Sequence, residues 1–121
     1  MSRIQELKAE IKKLEDENAE FLKSKYQHLV GKCFSRAYTS FEKVTNIHSV
    51  NTGDIGEEVT YDCICIYFDK RGDEYNNSAS ISLDGYASVY EEDIEQYIIS
   101  QESFNEAFNG CVDVIRNRIN T

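Results

Sequence analysis

Apolar residues recur at spacings of three and four through the first 21 positions, which is the period of one helical face. The stripe consists of Ile4, Leu7, Ile11, Leu14, Asn18 and Phe21. Isoleucine at a positions and leucine at d positions form a heptad pattern typical of coiled coils. Ser2 and Gln5 fit a capping box at the start of the pattern. The pattern predicts a long amphipathic helix over the segment 1–28, ending at about His28.

A helix with so narrow an apolar stripe needs a partner surface, because isolated helices are marginally stable in water. We expect the stripe residues to form a homodimer interface with a second copy of the chain. Asn18 at an a position favours a parallel two-stranded pairing, but that pairing also places like charges opposite each other along the flanks. Both orientations stay open, and so does a helix folded back on the β domain of its own chain.

The pattern changes to β between positions 29 and 90, where short runs rich in β-branched and aromatic residues alternate with turn formers. Predicted strands fall at about 29–34, 38–50, 59–68, 75–83 and 86–90. The run 59–68 is apolar on both faces, so we expect an interior strand. Turns are predicted at 51–56, at 69–73 and at Asp84-Gly85. This succession predicts a five-stranded antiparallel meander or a small barrel.

The segment 91–99 is ambiguous between a helical turn and an edge strand. A clearer helix follows at about 103–119, where Ser103 and Glu106 fit a capping box. Its apolar face is formed by Phe104, Phe108, Cys111, Ile115 and Ile119, and we expect that face to pack on the sheet. The predicted fold class is therefore α+β, with an N-terminal helix over 1–28 and an α+β domain over 29–121.

The charge is unevenly distributed along the chain. The net charge is −9, and residues 31–121 carry all of it, with 7 basic against 16 acidic residues. Between Gly72 and Ile115 there are ten acidic residues and no lysine or arginine. Such a surface repels phosphate backbones and anionic lipids, because nucleic-acid affinity depends on cations that displace counterions. We therefore expect neither direct nucleic-acid binding nor membrane binding, and a basic protein surface as the partner.

Acidic residues and tyrosines lie side by side near position 90, and exposed tyrosine is a frequent anchor at protein interfaces. We expect this segment to bind the basic partner. The predicted binding residues are Tyr90, Glu91, Glu92, Asp93, Glu95 and Tyr97. The alternative interpretation is that the acidic faces only keep the protein in solution.

The four cysteines do not indicate a metal centre or a redox scaffold. Cys63 and Cys65 are two apart on a predicted strand and point the same way, but zinc ligands usually occur as C-x2-C knuckles on turns. Cysteine is also one of the most commonly buried residue types. Neither of the two histidines neighbours a nucleophile signature, and no glycine-rich loop has a phosphate-binding spacing. We expect no catalytic residues, no metal and no cofactor.

The layout resembles small accessory proteins encoded by bacteriophages and mobile elements, some of which inhibit bacterial immunity. The resemblance lies in a heptad helix that leads into the run 29–34, in Lys43-Val44 with Ile47, and in a terminal helix that starts at 103–108. It implies a non-enzymatic protein of the bacterial cytoplasm that mimics nucleic acid and occupies a host defence nuclease such as a CRISPR effector. Two alternatives stay open: a structural or assembly protein that uses the coiled coil, and a protein that sequesters a nucleotide signal.

Overall fold

The computed structural model describes residues 2–69 and 78–120. Its helices are α1 (Arg3–Lys25), α2 (Ile94–Tyr97) and α3 (Gln101–Ile119), and its strands are β1 (Cys33–Ala37), β2 (Ser40–Gly53), β3 (Gly56–Asp69), β4 (Ser78–Tyr90) and β5 (Ile98–Ile99). Short 3-10 turns occupy Gln27–Leu29 and Glu91–Asp93. The strands form one antiparallel sheet in the order β4-β3-β2-β1-β5. The predicted α+β class, with a long first helix, five strands and a last helix, is confirmed.

The first four strands form the predicted meander, since each lies beside its neighbour in sequence. The fifth strand is not the predicted one at 86–90. It comes from the ambiguous segment, which contains a 3-10 turn, the short helix α2 and the two-residue strand β5. β5 pairs with β1 through Cys33 opposite Ile99 and Phe34 opposite Ile98. The strands β4 and β5 are the sheet edges, so the meander rather than the barrel is observed.

The turn predicted at Asp84-Gly85 is wrong, because β4 continues through it as one strand. Cys63 pairs with Gly85 and Cys65 with Ser82, so β4 contains an irregularity in register at this point, as in a β-bulge. A side chain at residue 85 would place its Cβ 2.3 Å from Cys65 Sγ and 2.8 Å from the carbonyl oxygen of Cys63. Gly85 therefore allows close packing of β4 against β3, and it does not form a chain reversal.

Two other strand boundaries shift. The first strand begins at Cys33 and not at Leu29, because Leu29 ends a 3-10 turn and Gly31 has a φ of +89°. The loop predicted at 51–56 shrinks to Asp54 and Ile55, with β2 running to Gly53 and β3 starting at Gly56. The pairing of β2 with β3 is irregular in register near Val44 and Ile47. The turn predicted at 69–73 lies largely outside the described residues.

The predicted capping box of α1 is confirmed, since the Ser2 side chain accepts from the Gln5 backbone and the Gln5 side chain accepts from the Ser2 backbone. The helix ends at Lys25, three residues before the predicted end, because Tyr26 and Leu29 turn inward and are buried. All residues from 2 to 21 are exposed. The helix therefore projects from the sheet, and the alternative in which its stripe folds back on the same chain is wrong.

Helix α3 starts at Gln101, and its N-cap is Ser100, which accepts from the Ser103 backbone at 3.1 Å. The capping box predicted at Ser103 and Glu106 is therefore wrong, because the helix begins before Ser103 and Ser100 is its N-cap. The buried face consists of Phe104, Ala107 and Cys111, while Phe108 is 41 % and Ile119 75 % exposed. The predicted packing of this helix on the sheet is confirmed.

The sheet carries an apolar cluster on each face. One cluster joins Phe34, Val44, Tyr61 and Cys63 with Tyr26, Leu29 and Ile94 from the segments that flank the sheet. The other cluster joins Cys33 and Ile66 with Phe104 and Cys111 of α3. The interior strand β3 contributes to both, as its two apolar faces predicted, because successive side chains of a strand point to opposite faces.

Candidate functional site

A cleft of about 590 Å³ lies at one end of the sheet. Three segments that are distant in sequence meet there: the end of α1, the β2–β3 turn and the acidic turn that follows β4. The lining residues are Lys25, Tyr26, His28, Ile55, Gly56, Glu57, Glu91, Glu92, Ile94 and Glu95. We call this surface the acidic cleft, because four of its side chains are carboxylates.

Glu57 ties the wall of the acidic cleft to α1. Its Oε1 accepts a hydrogen bond from Lys25 Nζ at 2.7 Å and another from the Tyr26 hydroxyl at 2.6 Å. Tyr26 is 3 % exposed and belongs to the core cluster. The arrangement fixes where the long helix leaves the sheet, because its last turn and its C-cap both bind the same carboxylate.

This network shifts the pKa of all three groups. Donation by Lys25 and Tyr26 lowers the pKa of Glu57 below its usual value. Burial, together with the carboxylates of Glu57 and Glu91, raises the pKa of Tyr26, so the phenol stays protonated. The hydrogen bond to Glu57 raises the pKa of Lys25. At neutral pH the cluster therefore holds an ionised carboxylate, an ammonium group and a neutral phenol.

The other carboxylates of the cleft point into solvent. Glu91, Glu92 and Glu95 are exposed, and they lie on the 3-10 turn and on α2. Between them Ile94 is 8 % exposed and packs in the core cluster, which anchors the turn with its acids outward. Among the described residues neither Glu92 nor Glu95 forms an ion pair. Their negative charge is therefore available to a partner.

The predicted binding segment divides at this point. Glu91, Glu92 and Glu95 line the acidic cleft, whereas Asp93, Tyr90 and Tyr97 do not and are half-buried. The Arg36 guanidinium lies over the Tyr97 ring at 5.8 Å from its centroid. A hydrogen bond to Glu58 raises the pKa of Tyr90. Tyr97 and Tyr90 therefore interact with Arg36 and Glu58 of neighbouring strands.

Comparison with protein-family models, with curated proteins and with solved structures finds no match. Function has therefore to be inferred from the geometry of the chain itself. No helix among the described residues has the length and continuous apolar character needed to cross a bilayer.

A second group of polar side chains lies on the sheet face that carries Tyr61. It consists of Glu42 on β2 and of Cys63 and Cys65 on β3, and we call it the dithiol cluster. The two sulfur atoms are 3.3 Å apart, as their predicted common orientation implies. One carboxylate oxygen of Glu42 and both sulfur atoms lie within 4.8 Å of one another. Cys63 is fully buried, and Cys65 is half-buried.

Glu42 is held by two donors on the neighbouring strands. The Tyr61 hydroxyl donates to Glu42 Oε1 at 2.8 Å, and Arg36 Nε lies 3.4 Å from the same oxygen. Arg36 also donates to the Tyr61 hydroxyl and covers the Tyr61 ring at 5.8 Å. The carboxylate of Glu42 raises the pKa of Tyr61 further than burial does alone, so the phenol remains a donor.

Cys33, Cys63 and Cys111 are poor nucleophiles. Burial and the neighbouring Cys65 raise the pKa of the Cys63 thiol, and burial raises the pKa of Cys33 and of Cys111. A nucleophilic cysteine needs the thiolate form. The Cys111 thiol instead points to the carbonyl oxygens of Tyr67 and Ser80, at 3.6 Å from each.

The basic residues available for a cationic nucleotide pocket are Lys32, Arg36, Lys43, Lys70 and Arg71. Arg36 and Lys43 do not converge, because they lie on opposite faces of the sheet. Arg36 is bound to Glu42 on one face. Lys43 follows Glu42 on the same strand, and its pairing partner Cys33 belongs to the cluster on the opposite face. Lys70 and Arg71 lie outside the described residues.

Sequence reasoning found the acidic turn from its charge run, and it missed the rest of the cleft. Glu57, Lys25 and Tyr26 come together only because the β2–β3 hairpin reaches the end of α1. One signal for this site was present in the sequence. Tyr26 lies after the end of the apolar stripe at Phe21, so its large aromatic side chain is expected to pack on a surface other than the helix interface.

Proposed function

We propose that the chain is a non-enzymatic binding protein that uses the acidic cleft to occupy a basic surface of another protein. The observation that supports this most directly is the set of three exposed carboxylates, Glu91, Glu92 and Glu95, on one anchored turn. Complementary charge accelerates encounter and selects partners. A rigid acidic surface is already shaped for its partner, so little ordering is required on binding.

Phosphate-binding surfaces of nucleases fit this chemistry best, because they are built from arginine and lysine that normally neutralise a polyanion. The cleft carboxylates take the place of phosphates, and the protein acts as a nucleic-acid mimic. A bacterial defence nuclease is the proposed target, in line with the resemblance of the sequence layout to phage accessory proteins. On this proposal, the protein works in the cytoplasm of the bacterial host.

The exposed stripe of α1 supports a homodimer. Ile4, Leu7, Ile11, Leu14 and Phe21 are each between 44 % and 66 % exposed and lie on one side of a projecting helix. Covering them with a second α1 removes an apolar strip from water. A dimer presents two acidic clefts, which raises the effective affinity for a partner with repeated basic sites.

The test is a pull-down from the natural host at low salt, followed by elution with salt or with an oligonucleotide. We expect basic, nucleic-acid-binding proteins to be captured and an oligonucleotide to release them. The variant with Glu91→Lys, Glu92→Lys and Glu95→Lys, here termed the cleft variant, should capture none of them. The matched control variant replaces three exposed acidic residues outside the cleft with lysine: Asp84, Glu102 and Glu106. Equal capture by the cleft variant and the wild type contradicts the proposal.

The same exposed stripe also favours one alternative, a structural protein that uses α1 for assembly. Light scattering distinguishes the two functions. A large defined oligomer that salt does not change, and that captures no partner, supports assembly. A dimer that binds a partner protein in a salt-sensitive manner supports the proposed function as an inhibitor that occupies a basic surface.

A further inference from the structure

We infer that the dithiol cluster is a zinc site, in which Cys63, Cys65 and Glu42 are the protein ligands and water completes the coordination. The inference is independent of the acidic cleft and of the proposed function. It departs from the expectation drawn from the sequence, which considered only turn-borne knuckles. Here the two thiols come from one strand and the carboxylate from its neighbour.

The distances are close to those that zinc requires. Two thiolates of a tetrahedral site lie about 3.8 Å apart, since each Zn–S bond is about 2.3 Å. The Cys63 and Cys65 sulfur atoms are 3.3 Å apart. A thiolate and a carboxylate oxygen in the same site lie about 3.6 Å apart, and the three ligand atoms here all fall within 4.8 Å. Side-chain movements that shift the ligand atoms by about 1 Å therefore suffice to form the site.

The backbone around the cluster leaves room for both sulfur atoms. A Cβ at Gly85 would lie 2.3 Å from Cys65 Sγ and 3.2 Å from Cys63 Sγ. The register irregularity in β4 places this glycine directly opposite Cys63. The glycine therefore leaves the space beside both sulfur atoms free of a side chain.

The neighbouring side chains meet the needs of a metal-bound carboxylate. Ligating carboxylates are themselves held by hydrogen bonds, which orient them and tune the metal. Tyr61 and Arg36 hold Oε1 of Glu42 in this way. The charges also balance, because Zn²⁺ with two thiolates and one carboxylate carries a net charge of −1, which the guanidinium of Arg36 offsets.

The cluster has an entry path. A pocket of about 190 Å³ opens on the same face and is lined by Glu42, Cys65, Ser40, Ser80 and Ser82, together with Ile66, Tyr67 and Phe41. The pocket is wide enough for water to reach the ion. Two soft thiolates with one hard carboxylate favour Zn²⁺ over Mg²⁺ and Ca²⁺, which prefer oxygen ligands alone.

Cobalt titration tests the inference, because Co²⁺ takes zinc sites and reports thiolate ligation through charge-transfer absorption. The full chain is reduced, stripped with a chelator and titrated with Co²⁺ and then with Zn²⁺. We expect one cobalt ion per chain with thiolate charge-transfer and tetrahedral visible bands, and displacement by one zinc ion. Absence of the charge-transfer absorption in the folded wild type overturns the inference.

Two variants and a control locate the ion. Cys65→Ser should lose at least half of the charge-transfer absorption, because one of the two thiolate ligands is removed. Glu42→Gln, which keeps both thiols, should bind cobalt at least about 10-fold more weakly. Cys111→Ser is the matched control, since its thiol is buried against the opposite face and contacts backbone carbonyls. Circular dichroism verifies that each variant is folded. Cobalt binding that survives Cys65→Ser unchanged, or that Cys111→Ser removes equally, overturns the inference.

Discussion

Replacing Leu14 with glutamate on α1 tests the proposed homodimer. Leu14 lies in the middle of the stripe and is 59 % exposed, so the substitution disturbs no contact of the single chain. In a pair of helices the same position is covered. The variant should therefore fold as the wild type does and fail to associate.

The magnitude follows from the exposed stripe. Its five apolar residues are 44–66 % exposed, so pairing covers the equivalent of about three whole side chains per helix. At about 1.5–3 kcal/mol for each, six such side chains contribute about 9–18 kcal/mol. Association itself costs about 4–15 kcal/mol. The midpoints of the two ranges, about 13.5 and about 9.5 kcal/mol, leave a surplus of about 4 kcal/mol, which corresponds to a Kd of about 1 mM.

Leu14→Glu removes about 2–4 kcal/mol from the pair, because two leucines lose more than half of a side-chain burial each. The dimer should weaken about 30-fold to 1000-fold. Sedimentation equilibrium from micromolar to near-millimolar chain concentration measures both proteins. Ala9→Glu is the control, since it adds the same charge on the outer side of the helix. A wild type that stays monomeric throughout, or equal association of Leu14→Glu and wild type, refutes the reasoning.

Three further predictions concern stability. Glu57→Gln should flatten the loss of thermal stability below pH 4.5. The pKa of Glu57 is lower in the folded than in the unfolded chain, so the stabilisation it gives is complete above the unfolded-state pKa and is lost as the pH falls through the folded-state pKa. A variant whose Tm falls with decreasing pH as steeply as that of the wild type contradicts this prediction. Tyr26→Phe should cost about 1.5–3 kcal/mol in urea unfolding, because it removes a donor to an ionised carboxylate; a cost near zero means that the bond is not made in solution. Gly85→Ala should cost about 1–3 kcal/mol or more, because its Cβ overlaps Cys65 Sγ and the Cys63 carbonyl; a neutral effect in the same assay means that β4 can move away.

The elements that the sequence predicts well are those whose signals are local and strong. The stripe and the capping box of α1 recur over several turns, and β3 has apolar residues on both faces, so neighbours elsewhere in the fold do not change the outcome. The position of a helix start is less determined, since Ser100 and Ser103 are both suitable N-caps. Here Ser100 accepts from the Ser103 backbone, and the helix starts one turn earlier.

Features that depend on distant residues were not predictable. Asp84-Gly85 has the composition of a tight turn, and only the contact with Cys63 and Cys65 shows that this glycine makes room for two sulfur atoms. The acidic cleft likewise needs Glu57 from the β2–β3 hairpin and Lys25 from α1, which lie 32 positions apart. They pair because the β2–β3 hairpin ends next to the last turn of α1.

The most direct test of the central claim is calorimetry of a purified captured partner with the wild type, the cleft variant and the control variant at increasing salt. The claim predicts that the wild type and the control variant bind, that their affinity falls as salt rises, and that the cleft variant does not bind at any salt concentration. Equal affinity of the cleft variant and the wild type, or equal weakening of both triple variants, contradicts the claim that the acidic cleft is the binding surface.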